Sequence, residues 1–345
     1  MLTQKKSFGR LSAVINPLDY IINPLDNPWF DLSEVSIESC YGSQTLPRSL
    51  RSRHWNLKTL KLKKLSFVDT DAYMWFESLK TLHLLSVRFS DDKSVQRLLS
   101  VCPKLEDLVV KRTTYVNVRI FSINVPSLRS LSIDYSWAVS RPADVHGFVI
   151  DAPSLRFMNI KDHFSNLLQF ENMPKLVKAN VEVDCDLSEK FIGSITSIQH
   201  ISLCSKNSKI PYPSGTSFFY LEHLELCTCS QDWWNLLNRI LEDAPRLQVL
   251  KLKLGNCVQC STELMDYWNE PCSVPKCLSS HLEIFEWRHY KGTKQERKVA
   301  KYILAKASCL KVAIFSSVCI EKNLIFKKLE NVDRGSKACE LVFQG

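Results

Sequence analysis

A chain of 345 residues, 45% of them hydrophobic, can bury two ordinary cores or one long stack of repeats. No apolar run reaches the roughly 18 residues of a membrane-spanning helix, and the N-terminus lacks the apolar core of a secretory signal, so neither is expected. The net charge of +9 is modest for this length, and nine glycines are few for an enzyme that must wrap backbone around phosphates.

Taken in order, residues 1–30 fit no repeat. They hold the string INPLD twice, at Ile15–Asp19 and Ile22–Asp26, with prolines that oppose a long helix, and read as an irregular cap or a frayed end. From residue 31 the pattern L-x-x-L-x-L, with apolar substitutions, begins at Leu32, Leu57, Leu79, Leu105, Leu128, Leu155, Leu176, Ile198, Leu221, Leu247, Leu282 and Leu310. Within each string the apolar residues alternate as in a strand with one buried face. The strings recur mostly every 21 to 28 residues, with one gap of 35 before Leu282. That period is the one expected of leucine-rich repeats. Pro103, Pro126, Pro153, Pro174 and Pro245 each stand two residues before a string, where proline stops the preceding element and leads into extended chain.

Two units have readable helices. After the string at Leu79, Ser90 precedes Asp91 and Asp92, and Val95, Leu98, Leu99 and Cys102 form one apolar stripe before Pro103. After the string at Leu221, Cys229 takes the position where a leucine-rich repeat commonly closes its turn with Asn or Cys. Ser230 then caps a helix whose inner face is Trp234, Leu237, Ile240 and Leu241, while Trp233 reads as packing at the outer side, partly exposed. Between about 113 and 220 β-branched and aromatic residues replace the helical pattern, so the outer layer there is expected to be extended, with a short helical turn at Ser188–Ile192. Beyond Leu254 come an insertion (Cys257–Ser280), a strand through Phe285 and Trp287, a helix from Lys294 with Thr293 and Glu296 as capping box, and a last string at Leu310. The expected fold is α/β, a leucine-rich-repeat solenoid with a curved parallel sheet on its concave side and helices or extended segments on its convex side. Its expected divisions are 1–30, the irregular segment; 31–256, the repeats; and 257–345, a terminal domain continuing the solenoid.

Side chains between the buried leucines face outward on the concave side. The candidate partner-binding residues are therefore Lys61, Lys63, His83, Asp107, Asn159, Asn180, His200, His223, Glu225, Lys251 and Lys253. Residues 47–64 carry seven Arg or Lys and no acid, which leaves open a nucleic acid or acidic partner on the basic rows at Lys58–Lys64 and Lys251–Lys253.

No catalytic, cofactor or metal site is expected. Cys257-x2-Cys260 with Cys272-x4-Cys277 has spacing that could hold zinc, but reads as ordinary thiols in a loop. His223-Leu-Glu225 and His281-Leu-Glu283 imitate the H-x-E of zinc deaminases without the P-C-x-x-C partner that this chemistry needs. No G-x-S-x-G or glycine-rich phosphate loop occurs. Thirteen cysteines, an odd number scattered from Cys40 to Cys339, suit reduced thiols in the cytoplasm or nucleus.

The segment from Tyr267 carries Trp268, Pro271, Val274, Pro275, Cys277, Leu278, Leu282, Tyr290, Gly292, Glu296, Tyr302, Ile303, Leu304, Ala307 and Leu310. In these residues it resembles the FBD domain of plant F-box proteins, and the upstream strings resemble that family's leucine-rich repeats. The resemblance implies a non-enzymatic protein whose repeats hold a protein for ubiquitination, with an F-box docking on a Skp-type adaptor of a cullin ligase. Residues 1–46 supply no amphipathic helices of F-box type, and Leu46-Pro47 is a poor substitute for its leucine-proline motif. The chain as given is therefore expected to leave that adaptor unbound.

Overall fold

The computed structural model describes residues 5–7, 10–15, 33–39, 56–67, 75–113, 118–136, 144–171, 173–185, 187, 189–205, 212–213, 215–229, 233–254, 268–318 and 322–344. It forms two compact units, Met1–Lys175 and Leu176–Gly345.

The first unit holds β1 (Lys5–Ser7), β2 (Arg10–Ile15), β3 (Glu34–Ser39), β4 (Thr59–Lys63), β5 (Ser66–Phe67), β6 (Thr81–Leu85), β7 (Arg88–Phe89), α1 (Asp92–Ser100), β8 (Asp107–Lys111), β9 (Ile120–Asn124), β10 (Ser130–Tyr135), β11 (Gly147–Asp151), β12 (Phe157–Asp162) and β13 (Leu167–Phe170). Strands β2, β3, β4, β6, β8, β10 and β12 pair in that order, all parallel, and β1 adds antiparallel to β2. The sheet thus starts inside the segment that carries no repeat string. On the other side of the repeats, β9, β11 and β13 form a second parallel sheet, the extended outer layer expected there, and β5 pairs with β7.

The second unit holds β14 (Lys178–Val183), α2 (Glu189–Ser194), β15 (His200–Ser205), β16 (His223–Cys227), α3 (Trp233–Asp243), β17 (Val249–Lys253), α4 (Lys276–Ser280), β18 (Ile284–Arg288), α5 (Lys294–Lys306), β19 (Val312–Ser316), α6 (Lys322–Glu330) and β20 (Glu340–Gln344). Its seven strands pair in chain order and all parallel. The last repeats therefore build on β17 through β18, β19 and β20.

Each string delivers two core side chains per strand. Leu60 and Leu62, Leu82 and Leu84, Leu224 and Leu226, and Leu250 and Leu252 are all at most 2% exposed. The prolines act one step earlier. Pro103, Pro126, Pro153 and Pro245 take the second position of a turn in which the carbonyls of Cys102, Val125, Ala152 and Ala244 accept the N–H of Leu105, Leu128, Leu155 and Leu247 at 3.0–3.2 Å. Proline suits that position because its ring presets φ there.

A second backbone pattern joins repeat to repeat. The Lys58 carbonyl accepts both the Lys80 and Thr81 N–H groups, at 2.8 and 2.9 Å, and Lys80 does the same for Glu106 and Asp107, both at 2.8 Å. In the second unit Gln199, Glu222 and Gln248 each receive the two corresponding donors of the next repeat at 2.8–3.0 Å.

One local expectation changes, that for Trp233, and two local features add to the reading. The N-cap of α1 is Asp91, whose Oδ1 accepts the Ser94 N–H at 2.7 Å. Trp233 is 2% exposed, because its ring packs edge-on at 5.8 Å against Trp287, a core residue of β18. Arg112, just past β8, is buried with its guanidinium over Phe121, Tyr135 and Phe148 at 5.1–5.8 Å, and it donates to the Val118 carbonyl at 2.6 Å. It ties the inner sheet to the outer one through ring faces. The Thr293–Glu296 capping box of α5 is formed in both directions. Ser230 and Asp232 lie outside the described residues.

Leu224, 1% exposed at the centre of β16, tests this packing. Replacing it with Asp buries an unpaired charge, and the second unit should lose on the order of 4 kcal/mol or more of stability. Denaturant unfolding of the full chain measures this; an unchanged midpoint would contradict the register.

Candidate functional site

The face of each sheet away from the buried leucines is the open one, and the parallel register sorts its side chains into rows. In the first unit the middle row runs Ser36, Lys61, His83, Val109, Ser132 and Asn159. Asp107 stands one row toward the strand N-termini, in line with Glu34 and Thr59, and Lys63 one row toward the C-termini, in line with Glu38 and Lys111. In the second unit the middle row is Asn180, Ser202, Glu225, Lys251 and Glu286, with His200 and His223 in the row before it and Lys253 in the row after.

Charge on this face is compensated strand by strand. Lys61 reaches Glu34 at 3.0 Å, Lys63 and Lys64 share Glu38 at 2.9 and 3.3 Å, and Lys111 meets Asp134 at 2.8 Å. In the second unit Lys251 meets Glu286 at 2.9 Å, Lys253 bonds Glu225, and Arg288 contacts both carboxylates. Ser202 adds a hydrogen bond to Glu225 at 2.7 Å. The basic rows read from the sequence are thus mosaics of both signs. Burial pushes the Glu225 and Glu286 carboxyls up, but hydrogen bonds from Lys253 and Ser202 to the first, and from Arg288 and Lys251 to the second, outweigh it and leave both below the usual carboxylate range.

The structure brings His200 and His223 together, ring centroids 4.3 Å apart, with Glu222 beside them. Burial, then the His200 ring, lowers the pKa of His223. Burial, then Lys61, does the same to His83, against the opposing pull of Asp107. Asn159 reaches Ser132 at 3.4 Å. Glu34, Glu38, Ser202, Glu286 and Arg288 were missed by the sequence reading, although the same alternation around Val35, Ile37, Leu203, Phe285 and Trp287 marks every one of them.

Cys257 and Cys260 lie outside the described residues, Cys272 is exposed, and Cys277 is buried with its thiol donating to the Leu241 carbonyl at 3.2 Å. Among the described residues, the groups of three candidate ligands are His200–Glu222–His223 and Cys204–Cys227–Cys229. No described helix is long and apolar enough to cross a membrane.

Strands of one repeat pattern stacked in parallel, with leucines inside and a polar open face, define a leucine-rich-repeat protein of α/β class. The Leucine Rich Repeat family model matches residues 78–103, and the FBD model matches residues 270–315. An FBD-associated F-box protein of Arabidopsis thaliana is 53% identical over 289 residues, covering 83% of this chain and 69% of that protein. An F-box/FBD/LRR-repeat protein of the same plant is 42% identical over 316 residues, covering 90% and 74%. The chain belongs to the F-box/FBD/leucine-rich-repeat family. Most of the FBD residues are packing: Trp268, Leu278, Leu282, Tyr290, Tyr302 and Ile303 are at most 6% exposed.

Acidification tests the histidines of the open face. His83 and His223 titrate below the ordinary 6.5 when folded, so the unfolded chain takes up their protons first as the pH falls. Stability is therefore lost as the pH drops through and below that value. Thermal midpoints should fall between about pH 7 and pH 5, and should fall less in a His83→Gln, His223→Gln variant. Equal slopes in the two proteins would contradict this placement.

Proposed function

We propose that this chain is a non-enzymatic protein-binding scaffold, the substrate-holding part of a Skp–cullin–F-box type ubiquitin ligase. The observation that carries the reading is its identity of 53% and 42% to proteins named for F-box and FBD, over 69% and 74% of their lengths. The open faces supply a fitting surface. Half-buried ion pairs and hydrogen bonds at Glu34, Lys61, Glu225, Lys251 and Glu286 fix charge in a defined pattern, and such patterns select partners more than they add affinity. The bound macromolecule is a protein of complementary mixed charge, and the setting is the cytoplasm or nucleus. Residues 31–256 are its repeats and 257–345 its FBD region.

Capture with the full chain tests this. Glu225→Lys with Glu286→Lys reverses the centre of the second open face and should reduce partner capture roughly tenfold or more. Lys301→Glu with Lys306→Glu, on exposed positions of α5, should leave capture unchanged. The opposite pattern would refute the reading. Raising salt from about 0.05 to 0.2 M should weaken the complex far less than the 10³–10⁵-fold of phosphate-driven binding. A loss of that size would point to nucleic acid instead.

A further inference from the structure

The third outward position of the strands carries charge in most repeats, as at Lys63, Lys111, Asp134, Glu182, Lys253 and Arg288. In β15 and β16 it carries Cys204 and Cys227. Leu203 pairs with Leu226, so the two cysteines follow side by side on neighbouring strands. They point to the outward side and yet are only 4% and 3% exposed. Cys229, two residues on, brings its Sγ to 2.8 Å from that of Cys227, and the three sulfurs all lie within 4.8 Å of one another.

We propose that Cys204, Cys227 and Cys229 form a site for one thiophilic d10 metal ion, zinc(II) being the ion of choice. Three soft donors converge on one point, and a structural site for such an ion asks for this chemistry. Zinc–sulfur bonds of about 2.3 Å place two sulfurs of one ion roughly 3.8–4.0 Å apart. The span within 4.8 Å suits that spacing, and the 2.8 Å contact of Cys227 and Cys229 opens by about 1 Å on uptake. Charge suits it too. Three thiolates around a dication leave one negative charge, and Lys253 stands in register beside Cys227, with Arg288 in register on the next strand.

No electron is transferred. Each thiol gives its proton to solvent as its sulfur bonds the ion, so up to three protons leave for each ion bound, and a fourth coordination position stays open to water or another donor. Because ligation releases protons, uptake grows stronger as the pH rises. The bound ion would clip β15 to β16 next to the Glu225–Lys253 pair.

The test uses the reduced full chain under anaerobic conditions. Zinc(II) titrated against a chromophoric chelator should bind one ion per chain at this site, and cadmium(II) should give a thiolate-to-metal ultraviolet band of three-thiolate intensity. Cys229→Ser, at the partly exposed position, should weaken zinc binding roughly tenfold or more with circular dichroism unchanged. Cys257→Ser with Cys260→Ser and Cys272→Ser should bind as the parent does. Peptide mapping of the unsubstituted chain after alkylation needs no variant, and zinc should shield Cys204, Cys227 and Cys229. The proposal is overturned by no zinc binding to the parent, by undiminished affinity in Cys229→Ser, by loss of binding in the triple variant, or by shielding of other cysteines instead.

Discussion

One backbone arrangement sets everything else in the two units. At most steps the carbonyl ahead of a strand takes two successive N–H groups from the next repeat, as Lys58 does for Lys80 and Thr81, and Glu222 for Gln248 and Val249. This double acceptance allows one alignment of neighbouring strands. Because side chains alternate with a period of two, a slip of one residue would turn every core leucine outward and every lysine or glutamate inward. The leucines enforce the same alignment from the buried side, and the turn at Pro103, Pro126, Pro153 and Pro245 delivers each strand at the right point. Local preference, backbone bonding and burial agree, as a specified fold requires.

The open face inherits its chemistry from that alignment. Glu38 meets Lys63 and Lys251 meets Glu286 because the partners are in register on adjacent strands, and Glu34 reaches Lys61 diagonally, one row along the neighbouring strand. Pairs this exposed add little stability. Their consequence is a surface with charge of both signs at fixed positions. Such a surface suits a protein partner better than a polyanion, which favours unopposed positive charge. In the FBD region the two core positions of the strand become Phe285 and Trp287, and edge-on contacts at 5.1–5.8 Å join them to Trp233 of α3, to Tyr290 in the loop after β18 and to Phe315 of β19. The family's FBD residues are thereby explained as packing.

Much of the fold was legible because one signal repeats. Each of the twelve strings coincides with a strand, since leucine at alternating positions has one plausible arrangement when it recurs every two dozen residues. Helix ends were legible where the caps are local, as with Thr293 and Glu296. At α1 the sequence leaves the cap open between Ser90 and Asp91, because both can cap and the choice depends on the entry angle of the chain. The strands at Lys5–Ser7 and Arg10–Ile15 carry no repeat string, so only their pairing with the sheet reveals them. Buried Arg112 looks like a surface residue by type, and its cage of three rings assembles from separate strands. On the open face, the eleven residues proposed for partner contact were placed by alternation, but their partners on adjacent strands were not. Pairing across strands needs register, which no single strand encodes. Cys204, Cys227 and Cys229 were invisible as a group for the same reason: the first stands one repeat away from the other two.

Lysine acylation mapped by mass spectrometry, on the free chain and on the chain bound to its captured protein partner, tests the central claim most directly. A partner held on the open face should slow the modification of Lys61, Lys63, Lys251 or Lys253 and leave Lys301 and Lys306 of α5 as reactive as before. Shielding of α5 with the strand lysines unchanged would contradict it.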